Sequence, residues 1–466
     1  MPTVAASVAD LLNQLSGIVH VENDKVVVDD AARLRSQGAA DLAWTAAFTA
    51  DEAAGEAARW IIWEAAQAVG VYSASIQELY MARSRGEVKG FTVPAMNLRA
   101  QTFDMARTIY ETAARNDVGA LLLEIARSEQ TYTFQRPMDF AASVYAGAMA
   151  AGWSGPVFVQ GDHYQFNAKK YATDPEAMTE EIRRACKLAI EAGYRNIDID
   201  SSTLVDLSQP NLDLEQKVNY TKAAELTALI RSLEDDGVAV SVGGEIGEVG
   251  KTNSTVDDLK AYLDGYDAVL ARLAPGAKGL SKVSVQTGTS HGGVPLPGGG
   301  VAEVKLDFGT LAKLGEYARE RGLAGAVQHG ASTLPDELFH KFPEVETAEI
   351  HLATGFQNAL YGHPAFPAEM MAEINAWLVV NAADERKADQ TEDQFLYTTR
   401  KKAIGPFKRQ LWDLATKDEI LASQGAKVEY LFRELKVIGS REMVNRYVQP
   451  VPVSRPIPAA VKAALA

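Results

Sequence analysis

The feature that most constrains this chain is a repeated alternation of short apolar runs, rich in Val and Ile, with longer segments of helical periodicity. The runs are Phe91 to Pro94, Ala120 to Ile125, Pro156 to Gln160, Asn196 to Asp200, Val238 to Val242, Lys282 to Thr287, Gly325 to Gln328 and Ala348 to Leu352. Between them lie stretches such as Pro175 to Gly193 and Leu214 to Asp236. There Leu, Ala and Ile recur at three and four, and charges occupy the other faces. Strand-helix alternation on this scale implies a parallel sheet.

The residues that end the runs predict how the sheet closes. They are Asn97, Glu124, Asp162 with His163, Asp198 with Asp200, Glu245, His291, His329 and His351, all groups able to bind or react. A (β/α)8 TIM barrel gathers the carboxyl ends of eight strands on one rim, whereas an open doubly wound sheet would not bring all eight together. The sequence therefore predicts a TIM barrel over residues 86–375, flanked by a helical N-terminal extension (1–85) and a helical C-terminal extension (376–466). The first is alanine-rich with almost no strand-like alternation. The second carries the basic clusters Arg400-Lys401-Lys402 and Lys408-Arg409, expected on a solvated helix face, and an extended tail from Gln449 with four prolines. Trp60, Trp63, Phe134, Phe140 and Tyr145 are expected in the core.

Charge excludes several function classes. Across 466 residues, 61 acidic side chains outnumber 46 basic ones for a net charge of -15, which repels nucleic-acid phosphates and anionic lipid. The single cysteine, Cys186, allows neither an intrachain disulfide nor a thiolate metal cluster. No apolar stretch reaches the roughly 18 residues of a membrane span, and the N-terminus lacks the pattern of a secretory signal. A cytoplasmic protein with a small-molecule substrate is expected, with no nucleic-acid or membrane partner.

Three of the seven histidines stand at strand ends beside glycine or a carboxylate: Asp162-His163, Ser290-His291-Gly292 and Gln328-His329-Gly330. Imidazoles from strands three, six and seven can converge on one divalent ion and leave a coordination position open, with Glu245 completing or alternating in the shell.

The succession Gly161-Asp162-His163, Asp206-Leu207-Ser208, Gly244-Glu245-Ile246-Gly247, Gly288-Thr289-Ser290-His291-Gly292 and His329-Gly330-Ala331-Ser332 resembles the motifs of the class II, zinc-dependent ketose-bisphosphate aldolases, in the same order. The resemblance covers about residues 88–375 and extends to Pro297-Gly298 and to Val304 through Phe308. It implies a Zn²⁺ or other divalent ion held by His163, His291 and His329, which polarises a ketose carbonyl. It further implies Asp162 as the acid/base at the C4 hydroxyl, Glu245 near the metal, and Asp206 orienting a ligand or the substrate from behind, although Asp206 read by itself suits a helix cap almost equally well. Gly292, Gly330, Ser332 and Thr354 match positions that cradle a substrate phosphate. Members of this family commonly form homo-oligomers, and the basic cluster at 400–402 could then meet a substrate phosphate across a subunit boundary.

The chain departs from the family in four places. Strand eight reads His351-Leu352-Ala353-Thr354-Gly355 where the family has Asn-x-Asp-Thr-Asp. Gln160 replaces a histidine, Gly250-Lys251-Thr252-Asn253 replaces an acidic loop, and Val294-Pro295-Leu296 displaces a lysine. Metal chemistry is thus expected to be retained while substrate recognition is changed. Glu124, Glu248 or His351 would supply the missing base, and Asn97 and Glu124 face the substrate from strands one and two. Three functions fit: a zinc-dependent aldolase-like lyase of carbohydrate metabolism acting on a ketose or its phosphate; a ketose epimerase on the same site; and a non-catalytic helper subunit, against which the retained Asp162 and histidines argue.

Overall fold

The computed structural model describes residues 2–247, 252–288 and 306–466. Eight parallel strands form a closed barrel: Val93–Asn97, Leu122–Ala126, Val159–Gln165, Asn196–Asp200, Ser241–Glu245, Lys282–Ser284, Ala326–Gln328 and Glu349–Leu352. Pairing of Glu349 with Val93 and of His351 with Ala95 joins the eighth strand to the first and leaves the sheet without an edge. Helices connect the strands on the outside, as the periodicity predicts. The helix Pro175–Glu191 shows why: Asp174 caps it by accepting from the Ala177 amide, Pro175 sets its first turn, and Met178, Ile182, Cys186 and Ala189 recur on the buried face.

Several strands differ from the sequence expectation: the first runs Val93–Asn97 rather than 91–94, and the sixth ends at Ser284 rather than Thr287. The fifth lies three residues later, at 241–245, because Val238 and Ala239 lie outside the ladder. The third run splits: Gly155–Val157 leaves the barrel to pair with Val71–Ser73, and the barrel strand begins at Val159 and runs through Asp162 and His163. In this longer strand the register shifts between Gly161 and Tyr164, so one extra residue is accommodated opposite Ile197 to Ile199. His163 sits in that bulge with φ 43°, a left-handed conformation that an imidazole side chain seldom adopts.

The N-terminal segment is not purely helical. A hairpin, Val19–Glu22 with Lys25–Val28, precedes its long helices Ala39–Phe48 and Glu52–Ala68. Its buried side chains belong to the same apolar cluster as the barrel helices, and Trp60 and Trp63 are core residues as expected. Phe140 and Tyr145 are buried as well, but Phe134 is 59% exposed, on a turn with φ 52°. The C-terminal segment supplies Ala368–Asn381, Glu392–Thr399 and Lys417–Glu434. The last packs on the barrel helix Thr102–Arg115, and a second apolar cluster forms around Phe366, Ile374, Leu378 and Phe395. The tail runs extended past Trp60 and Trp63 but ends in a short helix, Ala459–Leu465. None of the described helices is long and apolar enough to cross a membrane.

Candidate active site

Alternation along the barrel strands sends every second side chain inward, and in this barrel many of those side chains are charged. Deepest lies a buried network around Lys282 of strand six. Its ammonium contacts Asp198 at 3.0 Å, Glu349 at 2.5 Å and the Gln160 carbonyl at 2.7 Å. The Gln160 amide donates to Glu124 and to Glu349, both at 2.9 Å, and the Tyr80 hydroxyl donates to the other oxygen of Glu349. Burial alone would raise the Glu349 carboxyl, but the ammonium beside it wins and holds it down at about 2. For Glu124 burial wins over the opposing pull of His351 and pushes it up to about 7.

His351 stands on this floor. Its Nε2 lies 2.7 Å from Glu349, and its Nδ1 is 3.2 Å from both Glu124 and Asp162. Above it the rings of His329 and His163 follow, with centroids 4.3 and 4.2 Å apart in succession. The bulge in strand three explains how two consecutive residues, Asp162 and His163, serve one site: a regular strand would turn one of them away. The Nδ1 of His163 meets Asp200 at 3.0 Å and the Nδ1 of His329 meets Ser284 Oγ at 3.0 Å. Both Nε2 atoms thereby turn towards Asp162 Oδ1, at 3.8 and 4.0 Å. Burial depresses the His163 imidazole, but Asp162, Glu245 and Asp200 outweigh it and raise its pKa well above the usual range. Glu245, buried beside Asp200, is pushed up to about 8.

Acidic groups thus outnumber cations here, the condition in which a divalent ion is stabilising. Two ligand groups, Asp162-His163-His329 and His163-Asp200-Glu245, have all their donor atoms within 4.8 Å of one another. Donors around a tetrahedral zinc are spaced by roughly 3.3 Å, given zinc-nitrogen bonds near 2.0–2.1 Å, so small movements would suffice. The Glu124-Asp162-His351 and Asp198-Glu349-His351 groups are as close, but in the first Glu124 already accepts from the Gln160 amide and the second shares the Lys282 ammonium. The donor set therefore fits a divalent metal at the level of His163 and His329. His291 and Gly292 lie outside the described residues, as do Glu248 and Val294-Pro295-Leu296.

A cavity of about 500 Å³ opens above these groups. Asp162, His163, Glu245, His329 and His351 line it on one side, with Gly330, Ser332 and Thr354 on its rim. Three expected residues stand elsewhere. Asp206 is exposed on a loop and accepts from the Ser208 amide and hydroxyl and the Gln209 amide, a local cap; the carboxylate behind His163 is Asp200. Asn97 is buried beneath the cavity and donates to Glu129 at 2.6 Å, and Glu124 belongs to the floor. Asp200 is one of the strand-end groups the sequence singles out, but Lys282 and Glu349 are not, although the period of two carries their signal: Glu349 precedes His351 and Lys282 precedes Ser284, each on the inward face. Arg99, Tyr397 and Lys401 also line the cavity; no local pattern announced the first two, while Lys401 belongs to the basic cluster expected on a solvated helix face or, across a subunit boundary, at a substrate phosphate.

The class II fructose-bisphosphate aldolase family model matches residues 81–403. That span includes the whole barrel and the segment carrying Lys401; the chain belongs to this family and is an aldolase-type lyase. Among solved structures, a probable tagatose 6 phosphate kinase from Sinorhizobium meliloti shares the fold, with a TM-score of 0.53 at 18% identity over 80% of this chain and 98% of its own. The fructose-bisphosphate aldolase of Campylobacter jejuni aligns over 79% of this chain and 97% of its own, with 16% identity and a TM-score of 0.48.

Proposed function

We propose that this protein catalyses reversible aldol cleavage of a ketose or ketose phosphate, with a divalent metal, zinc by family resemblance, held by His163 and His329 together with His291. The observation that carries the proposal is the convergence of the His163 and His329 Nε2 atoms on the Asp162 carboxylate. The metal, when bound, would supply the Lewis acid that polarises the substrate carbonyl. Asp162 takes the proton of the C4 hydroxyl as the C3–C4 bond breaks and returns it in the condensation direction. His351, 3.2 Å from Asp162 and anchored to Glu349, is the adjoining group that can relay or hold that proton. Glu245 stands close enough to His163, 3.4 Å, to share in holding the ion. Gly330, Ser332 and Thr354 offer backbone amides and hydroxyls to an anionic end of the substrate.

The test is a ketose panel offered to the metal-loaded protein, with released aldehyde followed by a coupled dehydrogenase. Aldehyde release that disappears in Asp162→Asn, with stoichiometric metal still bound, is the expected result. Conversion of one ketose to another without aldehyde would replace the lyase by an epimerase, and full activity in Asp162→Asn would remove that residue from its role.

A further inference from the structure

The wall of the cavity opposite the histidines is built by the C-terminal segment of the same chain. Tyr397, Thr398 and Lys401 line it, beside Arg99 and Gln357 of the barrel. The segment is clamped at two places. On one side Asn358, in the helix after strand eight, donates to the Tyr397 hydroxyl at 3.0 Å and accepts from Arg400 at 2.5 Å. On the other, the Gly405 amide donates to the Tyr132 carbonyl at 3.0 Å and Lys408 donates to the Phe134 carbonyl at 2.9 Å. Lys401 lies between the clamps, half-buried, with its ammonium 5.9 Å from the centre of the Tyr132 ring.

The charges around it do not balance. The Glu129 carboxylate lines the cavity too, but Arg99 already holds it with contacts of 2.6 and 2.7 Å, while Asn97 and the Ala126 amide donate to it as well. Lys401 forms no ion pair among the described residues. Burial and the Arg99 guanidinium pull its pKa below the ordinary lysine value against the weaker opposing pull of Glu129. A half-buried cation beside a second cation is stabilised when an anion enters, and the cavity is where an anion can enter. This contrasts with Lys402 next to it, which is paired with Glu385.

We propose that Lys401, carried over the barrel mouth by the chain's own C-terminal segment, binds an anionic group of the substrate, phosphate or carboxylate, and so sets the charge class that the site accepts. The proposal rests on the lyase reading for the word substrate, but not for the anion site itself. The full-length protein is titrated calorimetrically with inorganic phosphate and separately with malonate, as wild type, K401M, K401Q and K401R. The expected result is binding of one anion by wild type, weakened by about tenfold or more in K401M and K401Q and largely kept in K401R. Phosphate as that anion assigns a phosphate ester; malonate assigns a sugar acid. The bound anion should raise the denaturation temperature of wild type and K401R only. Without anion, K401M should denature no earlier than wild type, since an unpaired cation is removed.

Equal affinity in wild type and K401M, or binding of neither anion by wild type, overturns the proposal. A protein that binds anion through Lys401 yet cleaves no ketose refutes the lyase reading and leaves the anion site standing. A working lyase whose KM for an anionic ketose is the same in K401M does the reverse.

Discussion

Lys282 illustrates at the residue scale how a barrel interior can hold charge: one ammonium meets two carboxylates and a side-chain carbonyl, so none of the four is left without a partner. Removing it as Lys282→Met strands Asp198 and Glu349 in the interior and should cost about 3 kcal/mol or more, read by urea unfolding at neutral pH. The titratable groups around it, from the floor to the metal-ligand level, predict a pH dependence of the opposite origin. Glu124 and Glu245 titrate at about 7 and about 8, above their ordinary value, and His163 and His351 are also raised. Each therefore binds its proton more tightly folded than unfolded. The stabilisation is full below the unfolded pKa and fades as pH climbs through the folded one. Metal-free protein should lose stability between about pH 5 and 8, and Glu245→Gln should flatten that decline, checked by denaturant midpoints at several pH values.

At the scale of elements, the third strand decides the site. Its one-residue bulge and the left-handed backbone of His163 aim Asp162 and His163 into the same space, and strain of this kind persists where surrounding structure holds it. Deleting one residue of the bulge should restore regular alternation and abolish metal binding, measured by equilibrium dialysis, while the circular dichroism of the barrel survives. The helices outside are constrained differently. Where Pro137–Ala150 crosses Thr102–Arg115, a Cβ on Gly147 would come within 2.7 Å of the Phe103 carbonyl oxygen and the Ala106 Cβ. Gly147→Val must push these helices apart and is expected to cost about 1–3 kcal/mol in thermal or urea unfolding.

Across the whole molecule the two ends of the chain hold each other. The indole nitrogens of Trp63 and Trp60 donate to the Val453 and Arg455 carbonyls at 2.7 and 3.2 Å, and the Arg455 guanidinium lies 3.5 Å over the Trp63 ring. Farther along, Trp44 donates to Asp413 at 2.8 Å and packs edge-on against Trp412. Deleting residues 449–466 should uncover Trp60 and Trp63, shift tryptophan emission to the red and lower the denaturation temperature by several degrees. Its effect on turnover should be small, because Tyr397 and Lys401 are held by the barrel itself through Asn358 and Tyr132.

Eight strands, their helices and the histidines His163, His329 and His351 at the cavity were legible in the sequence because period and chemistry are local properties: apolar runs of four to seven residues, helical faces at three and four, and reactive groups where runs stop. Asp200, Glu349 and Lys282 were legible in the same way once their alternation is followed. What no local pattern carries is distance through space. The bulge that turns Asp162 and His163 together depends on strand three pairing against strand four. Asp200, not Asp206, stands behind His163 because the barrel closes there and Asp206 falls on an exposed loop. Lys401 reaches the mouth only because a segment some seventy residues after His329 folds back onto the segments that follow strands one, two and eight. A basic cluster looks alike in solvent or over a cavity, and packing alone determines which of the two it meets.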